Sequence, residues 1–259
     1  MWTKFNIDNF VFMDIETTTQ TEKYTDLPPN MVKHWEDRCD YLRSMQNHPE
    51  NAKMNNQELY EAKAPLMAEY GKIICLSYGK FIFPKDIDTA AMPIIQYRAL
   101  TDDDEANIIV KFLAGIKKMT QKTTHTRVVG HNIRRFDIPF LLKRAIINDI
   151  PIPPSINPAL SKPWELAILD SCEAWGFGSW QESFTSLKVL SDVLGIPSPK
   201  DDIDGSQVYN VYWKKKDIRR IAVYCNKDII AQAKVTLRLA NFTAEQTAGI
   251  VMEEKLSEQ

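Results

Sequence analysis

Short apolar runs alternate with amphipathic stretches along most of this chain. The first strong run, residues 10–15, is rich in Phe, Val and Ile and predicts a buried strand. Runs at residues 72–79, 127–130 and 165–170 predict three more strands, and short β-rich pieces around residues 81–83 and 93–98 predict antiparallel partners. Strands that first follow one another and then alternate with helices indicate an α/β domain with a mixed sheet.

Amphipathic stretches predict a series of helices in the second part of the chain. Thr101, followed by three aspartates, is typical of a helix start, with a capping hydroxyl and acidic groups that the helix dipole favours. Apolar residues then recur at helical spacing as far as Ile116. Further helices are predicted over residues 137–148, 185–194 and 215–240.

Residues 20–70 interrupt the series of strands, because they are polar, contain two adjacent prolines and show no strand alternation. Apolar residues recur there at helical spacing in two stretches, which are Met31, Trp35, Cys39 and Leu42, and then Leu59, Ala62, Leu66 and Tyr70. This pattern predicts two helices that form an insertion after the first strand. We expect residues 1–259 to form one domain that includes this insertion and ends in a weakly ordered tail at residues 242–259.

Composition narrows the possible classes of function. The 259 residues carry a net charge of −2, with a pI of about 6.1, so this is not a strongly basic protein that binds nucleic acid tightly and without specificity. The four cysteines form no C-x-x-C pair, which predicts reduced, mostly buried thiols rather than a zinc site or a disulfide framework. The N-terminus shows no signal pattern and no run approaches the ~20 apolar residues of a membrane span, so we expect a cytoplasmic protein.

Two carboxylates stand at the end of the first predicted strand, where apolar residues would be expected. Asp14 and Glu16 are two positions apart, and such positions point to the same face of a strand. Two carboxylates this close repel each other unless they are protonated or bridged by cations. Their oxygen atoms suit Mg²⁺ or Mn²⁺, although a pair of solvated acids at a strand end is an alternative.

Two further segments carry residues of similar chemistry. Asp137 stands where a predicted strand leads into a helix, and Asn132 and Phe136 precede it. Tyr224 and Asp228 are four positions apart in the last long helix, so a phenol and a carboxylate share one helical face. Each segment alone also has a structural explanation, as a helix N-terminus or as the polar face of an amphipathic helix.

Taken in order, the patterns D-x-E, N-x-x-x-F-D and Y-x-x-x-D resemble the three exonuclease motifs of the DEDDy group in the RNase H-like (DnaQ-like) superfamily. The resemblance extends over about residues 10–240. Residues 130–144 and 203–208 are similar to segments of free-standing exonucleases related to the proofreading domain of family-B DNA polymerases. The sister DEDDh group has a histidine where this chain has Tyr224, and no histidine lies near Asp228 in the sequence.

The resemblance implies an RNase H-like fold and a metal-dependent 3′–5′ exonuclease that releases nucleoside 5′-monophosphates. Asp14, Glu16 and Asp228 would hold one divalent cation, either Mg²⁺ or Mn²⁺. Asp14 and Asp137 would hold a second cation beside it. The Tyr224 hydroxyl would orient the attacking water.

The resemblance also implies contacts with a nucleic acid substrate. Thr17 would offer a backbone N–H to the terminal nucleotide, and Asn132 would form a hydrogen bond near the scissile phosphate. Phe136 would stack on a base, or would belong to the core. The expected substrate is the 3′ end of single-stranded or frayed DNA, because unpaired nucleotides enter a cleft at lower cost, and the helical insertion is a hypothetical cover over that cleft.

Two other functions remain open on the sequence alone. An exoribonuclease would use the same catalytic residues, because proteins recognise the 2′-hydroxyl elsewhere. A binding module that has kept the fold without catalysis would be favoured by the loss of a metal ligand, whereas this chain has all four acids and Tyr224. His131, next to Asn132, is either a residue of the cleft or a structural histidine.

Overall fold

The structure is a computed structural model that describes residues 7–83, 92–160, 162, 165–179, 184–197 and 203–255. Its strands are β1 (Phe10–Thr19), β2 (Gly71–Ile82), β3 (Ile94–Thr101), β4 (Arg127–Gly130), β5 (Ile168–Asp170) and β6 (Met252–Glu254). Together the described strands form one sheet in the order β5-β4-β1-β2-β3-β6. Because β1, β2 and β3 are antiparallel neighbours while β4 pairs with β1 in parallel, the sheet is mixed.

Helices cover both faces of this sheet. They are α1 (Pro29–Ser44), α2 (Asn56–Lys63), α3 (Glu105–Lys122), α4 (Asp137–Ile147), α5 (Ser171–Trp175), α6 (Leu187–Val193), α7 (Ile218–Leu239) and α8 (Ala244–Ala248). Val11, Met13 and Ile15 of β1 face α3 and α4 in the larger core cluster. Phe12 faces the other way and packs with Ile229 of α7. The predicted fold class, a mixed sheet flanked by helices with a helical insertion after the first strand, is confirmed.

The insertion has a small apolar core of its own. Trp35 of α1 packs edge-on against Tyr60 of α2, with ring centroids 5.2 Å apart, and its indole N–H donates a hydrogen bond to the Asn56 carbonyl at 3.1 Å. The insertion is tied to β1, because the Thr17 hydroxyl donates a hydrogen bond to the Pro65 carbonyl at 2.7 Å. Helices therefore form in both predicted stretches, although the second is shorter than predicted. Helix α2 ends at Lys63, and Leu66 and Tyr70 lie beyond it, because Pro65 cannot continue the α-helical hydrogen bonding. The hydrogen bond from Thr17 fastens the insertion to the strand that carries the first acidic motif.

The start of α3 differs from the prediction. Thr101 does not cap the helix, because it is the last residue of β3 and pairs with Cys75 in the ladder. Asp104 is the cap, and its carboxylate accepts a hydrogen bond from the Ala106 N–H at 3.0 Å. Similarly, the β-rich piece at residues 81–83 is not a separate strand, since β2 continues to Ile82. In both cases the pairing of long neighbouring strands extends an element beyond its local sequence signal.

The tail contains regular elements that its sequence pattern did not indicate. Thr243 and Gln246 form a capping box that begins α8, and Met252–Glu254 pairs in parallel with the edge of β3. The Lys255 N–H extends this pairing with a hydrogen bond to the Tyr97 carbonyl at 2.8 Å. A three-residue strand has no detectable periodicity of its own, and the backbone groups of the sheet edge create it. Residues 256–259 of the tail lie outside the described residues.

The four cysteines are free and buried. No helix among the described residues combines the length and the apolar character that crossing a bilayer requires.

A buried ion pair fixes α4 relative to α3. The Glu105 carboxylate of α3 accepts hydrogen bonds from the Arg144 guanidinium of α4 and, at 3.0 Å, from the Ile73 N–H of β2. Arg144 also donates a hydrogen bond to the Ala68 carbonyl at 2.8 Å. Both charged side chains are almost fully buried, and each of them holds several partners. This network sets the position of α4, whose first residue is Asp137.

We predict that Glu105→Ala lowers the free energy of unfolding by about 3–5 kcal/mol, because it leaves the Arg144 charge buried without its partner. Urea denaturation monitored by circular dichroism measures this change. Asp40→Ala is the matched control, since it breaks the exposed Arg43–Asp40 pair, and it should cost less than about 1 kcal/mol. Equal losses in the two variants would contradict the prediction.

Candidate active site

Strand β1 carries Asp14 and Glu16 on the face that turns toward α7. Asp14 pairs with Ser77 of β2 and Glu16 with Cys75, and the register shifts immediately afterwards, between Glu16 and Thr17. Such a bulge bends a strand and changes the direction of the side chains beside it. Glu16 is buried, whereas Asp14 is partly accessible. The two carboxylates thus lie next to an irregularity of the sheet rather than in a regular stretch of it.

Asp137 reaches this strand from the N-terminus of α4. Its carboxylate accepts a hydrogen bond from the Ile15 N–H at 3.1 Å, between the two acidic residues of β1 in the sequence. The preceding loop turns tightly after Gly130, where an added Cβ would lie 2.0 Å from a side-chain atom of Ile133. A glycine at this position allows the loop to fold back onto the end of β4 and deliver Asp137 to β1.

Asp170, the last residue of β5, holds the same loop from its other side. Its carboxylate accepts hydrogen bonds from the backbone N–H groups of Asn132 at 2.8 Å, Arg134 at 3.1 Å and Cys172 at 2.9 Å. Asn132 adopts a left-handed conformation, with φ of 62°, which asparagine tolerates better than most residues. The buried Asp170 carboxylate therefore stabilises the unusual backbone that precedes Asp137.

Helix α7 contributes the third group of side chains. The Gln232 amide donates a hydrogen bond to one Asp14 carboxylate oxygen at 3.0 Å, and the Cys225 thiol lies 3.4 Å from the other. Asp228 lies one turn before Gln232, is partly buried, and interacts electrostatically with Asp14. Tyr224 lies one further turn toward the N-terminus and packs, partly buried, against the apolar cluster that includes Cys225.

Burial and mutual repulsion perturb these acids. The pKa of Asp14 is raised well above its ordinary value, first by desolvation and then by the charges of Asp228, Asp137 and Glu16. The pKa of Glu16 is raised in the same way, first by desolvation and then by Asp228. Carboxyl groups from three distant segments of the chain therefore repel one another electrostatically.

Asp137 shows which effect dominates. Desolvation is the largest influence on this carboxyl. It raises the pKa to about 7 against the hydrogen bond from the Ile15 N–H, which lowers the pKa, and the charges of Asp170 and Asp228 add to the increase. The N-terminus of α4 also favours a negative charge there. Burial outweighs both favourable contributions, so Asp137 is protonated below neutral pH when no cation is present.

This arrangement fits a divalent cation. The ligand atoms of Asp14, Glu16 and Cys225 lie within 4.8 Å of one another, the spacing of a coordination sphere. Burial raises the pKa of the Cys225 thiol well above its ordinary value, so this sulfur remains protonated and is a poor ligand for a hard cation. The carboxylate oxygens are the ligands that Mg²⁺ and Mn²⁺ prefer. A cation there would offset the repulsion that raises their pKa values.

The residues expected to contact substrate lie near this cluster. Phe136 lines a cleft of about 500 Å³ between α4 and the insertion, whose other lining residues include Arg38, Leu66, Tyr70 and Lys143. The Phe136 ring also packs on Phe140, with centroids 5.6 Å apart, so it belongs partly to the core and partly to the cleft. Asn132 lies in the loop before Asp137, and Thr17 immediately follows Glu16 in β1.

His131 is a structural histidine. Its Nε2 donates a hydrogen bond to the Thr185 carbonyl at 2.7 Å, and its Nδ1 lies 2.9 Å from the Ser171 hydroxyl, which can donate to it. Burial is the largest influence on the imidazole, and it lowers the pKa of the ring. Both ring nitrogens are thus occupied in a neutral ring that links β4, α5 and the segment before α6.

Sequence reasoning missed two side chains that hold the acids in place. Gln232 follows Asp228 by one turn, so extending the four-residue spacing of Tyr224 and Asp228 would have found it. Asp170 is the last residue of β5, which lies next to β4 in the sheet. An acidic residue at the C-terminal end of an apolar run could have indicated its role in the sequence.

Comparison with known proteins gives a family match. A family model described as a predicted 3′–5′ exonuclease related to the exonuclease domain of PolB matches residues 70–255. Among solved structures, the family B DNA polymerase from the hyperthermophilic archaeon Pyrobaculum calidifontis is similar over 92% of this chain, with 16% sequence identity and a TM-score of 0.46. This chain spans 26% of the length of that polymerase. A search of curated proteins gave no significant match.

The raised pKa values predict an unusual dependence of stability on pH. In EDTA, the free energy of unfolding should fall as the pH rises through about 7, because Asp137 must then ionise in the folded state but ionises near its ordinary 3.8 when unfolded. Thermal melts between pH 5 and pH 8 measure the effect. Asp137→Asn should flatten the dependence, and Mg²⁺ should restore stability at pH 8. Stability that rises over this interval in EDTA would contradict the prediction.

Proposed function

The chain belongs to the family of predicted 3′–5′ exonucleases related to the exonuclease domain of PolB, and from that premise we propose that it is a metal-dependent exonuclease acting on single-stranded or frayed DNA 3′ ends. The observation that carries the proposal is the mutual electrostatic interaction of Asp14, Glu16, Asp137 and Asp228. Bringing four acids together, two of them buried, is costly for stability, and acids with strongly perturbed pKa values are typical of a functional site. Residues 1–259 would act as one catalytic domain.

In this proposal the four acids hold two divalent cations, either Mg²⁺ or Mn²⁺. Bound there, the cations would supply a water activated near neutral pH and stabilisation of negative charge on the leaving 3′ oxygen. Asp14 contributes to both positions, and the Gln232 amide holds one of its oxygens in a fixed direction. The Ile15 N–H holds Asp137 in the same way. This positioning keeps the carboxylates in place when their protons are exchanged for cations.

We assign to Tyr224 the role of orienting the attacking water. It shares one face of α7 with Asp228, one turn away, and its ring is held by the apolar cluster around Cys225. Its phenol hydroxyl can both donate a hydrogen bond to a water and accept one from it. Its contribution is therefore orientation for in-line attack on the phosphate. The products are a nucleoside 5′-monophosphate and a shortened strand.

The cleft beside Phe136 is where we place the terminal nucleotides. Arg38 and Lys143 supply positive charge for phosphates, although Glu69 already pairs with Lys143 at 3.2 Å. Leu66 is 60% exposed at the same cleft, where an apolar side chain can contact a base. Phe136 can stack on a base with its accessible side, and Asn132 and the Thr17 N–H would contact the sugar and phosphate. The insertion thus forms one wall of the proposed site.

Digestion of labelled oligonucleotides tests the proposal. We expect a single-stranded DNA to be shortened from its 3′ end in Mg²⁺ or Mn²⁺ and to stay intact in EDTA, which 5′-labelled and 3′-labelled strands report separately. Asp14→Asn and Asp228→Asn should each lower the rate by about a thousandfold, because a ligand to the cations is lost. Asp192→Asn, at an exposed acid of α6 outside the cluster, is the control.

The Asp14→Asn variant is expected to fold, since its amide resembles the protonated carboxyl of the metal-free protein. Full activity in either of the two site variants would refute the assignment of the site. Shortening from the 5′ end would refute the polarity. Faster digestion of a matched RNA strand would replace DNA by RNA as the substrate.

We predict that Tyr224→Phe lowers kcat by about 10- to 100-fold and changes KM little, because orientation of the water is lost while binding of the strand is kept. Steady-state rates over a range of oligonucleotide concentrations separate the two parameters. Tyr212→Phe is a control on a phenol that contacts Lys72 instead. An unchanged kcat in Tyr224→Phe would mean that other groups position the water.

A further inference from the structure

A second cleft lies on the opposite face of the sheet from Asp14 and Glu16. It encloses about 600 Å³ between α3 and the strands β2 and β3. A smaller cleft of about 180 Å³ continues it and shares several lining residues with it, which are Val11, Tyr78, Arg98, Gly115 and Met119. Val11 belongs to the alternate set of β1 residues that faces α3, whereas the two acids face α7. The two clefts form one elongated groove that the proposed catalysis does not use.

The rim of this groove is strongly basic. Its cationic lining residues are Lys80, Arg98, Lys111, Lys118, Lys122 and Lys255, and Asp8 is the acidic residue among the described lining. Within the described part of the chain, none of these cations forms an ion pair within 4.0 Å. The whole protein carries a net charge of −2, so this accumulation is local. A polyanion is the ligand that such a surface attracts.

The cations stand on two sides of an apolar floor. Lys111, Lys118 and Lys122 follow one face of α3, at spacings of seven and four residues, while Lys80 and Arg98 project from the strands opposite. Tyr78 and Met119 lie between them, and the Arg98 guanidinium lies 5.9 Å from the Tyr78 ring centroid. Positive charges on either side of an aromatic ring match a single strand of nucleic acid, because a base can stack on the ring while the phosphates pair with the lysines.

Gly115 is an independent observation at the same groove. It lies in the interior of α3, where glycine is a poor helix former, and an added Cβ would meet nothing within 4 Å. Packing within the protein therefore does not require the missing side chain. Its absence keeps the wall of the groove open at the point that both clefts share.

We propose that this groove binds a second segment of single-stranded nucleic acid, apart from the segment at the carboxylates. The choice of nucleic acid rather than an acidic peptide rests on the proposed function, together with the Tyr78 ring between the cations. A strand long enough to occupy both sites would be held by the groove while its 3′ end is hydrolysed. The groove would therefore increase the affinity for long strands and leave very short ones unaffected.

Binding without hydrolysis tests this proposal directly. Fluorescence anisotropy in EDTA compares single strands of about 20 and about 4 nucleotides for the wild type and for Lys118→Glu/Lys122→Glu. We expect the double variant to bind the long strand about tenfold more weakly and to lower the slope of log K against log salt by about 1.4, as the loss of two phosphate contacts predicts. Lys117→Glu/Lys188→Glu, at exposed lysines outside the groove, has the same net charge and should bind as the wild type does.

Gly115→Leu tests the groove without changing charge. We expect it to weaken binding of the long strand several-fold while the melting temperature stays equal or rises, because leucine is the better helix former. Equal affinity of the groove and control double variants for the long strand would overturn the proposal. An equal loss for the short strand, or displacement of the long strand by a polyglutamate peptide at lower concentration than by unlabelled DNA, would also overturn it.

These measurements are separate from the test of catalysis. If Asp14→Asn retained full hydrolysis, the catalytic assignment would fail while the groove could still bind DNA in EDTA. If the groove variants bound the long strand as the wild type does, the groove proposal would fail, while the proposed hydrolysis at the carboxylates would still stand.

Discussion

The withdrawal of several neighbouring carboxyl groups from water, together with the repulsion among them, is the constraint on which the rest of this structure depends. Raising the pKa of Asp137 from 3.8 to about 7 corresponds to about 4 kcal/mol once that group is ionised. This is a large part of the 5–15 kcal/mol that typically separates folded and unfolded states. The fold must therefore supply rigid support for the acids, and protons or cations must reduce their charge.

The support comes from groups that cannot move independently of the sheet. The Ile15 N–H of β1 holds Asp137, and the side-chain amide of Gln232 on α7 holds Asp14. Three backbone N–H groups donate hydrogen bonds to Asp170, which fixes the loop before Asp137. The buried acid Glu105 offers a contrast, because Arg144 neutralises it and it serves only to position helices. Glu105 and its cationic partner thus stabilise the frame, whereas the acids beside the bulge of β1, whose pKa values burial and repulsion raise, form the proposed reactive centre.

A net charge near zero conceals a strong separation of charge across the molecule. Acidic groups concentrate at the bend of β1, while cations concentrate on the far face of the sheet beside α3. The same strands create both surfaces, since alternate residues of β1 and β2 point to opposite faces. This separation suits the proposed function, which requires cations at one place and a polyanion on the molecule, because a uniformly basic surface would weaken the proposed cation site.

The sequence by itself determined the features that depend on local periodicity. These are the buried first strand with Asp14 and Glu16 on one face, the helical spacing of Tyr224 and Asp228, the helices of the insertion and the α/β class, and the ordered motifs also identified the family. Only the tertiary structure decided which groups support the acids, since the Asp14–Gln232 bond joins residues 218 positions apart. It also decided the order of the tail, because the open edge of β3 creates β6 from residues without strand periodicity. Contacts between distant segments depend on the folding of the whole chain, and no local pattern records them.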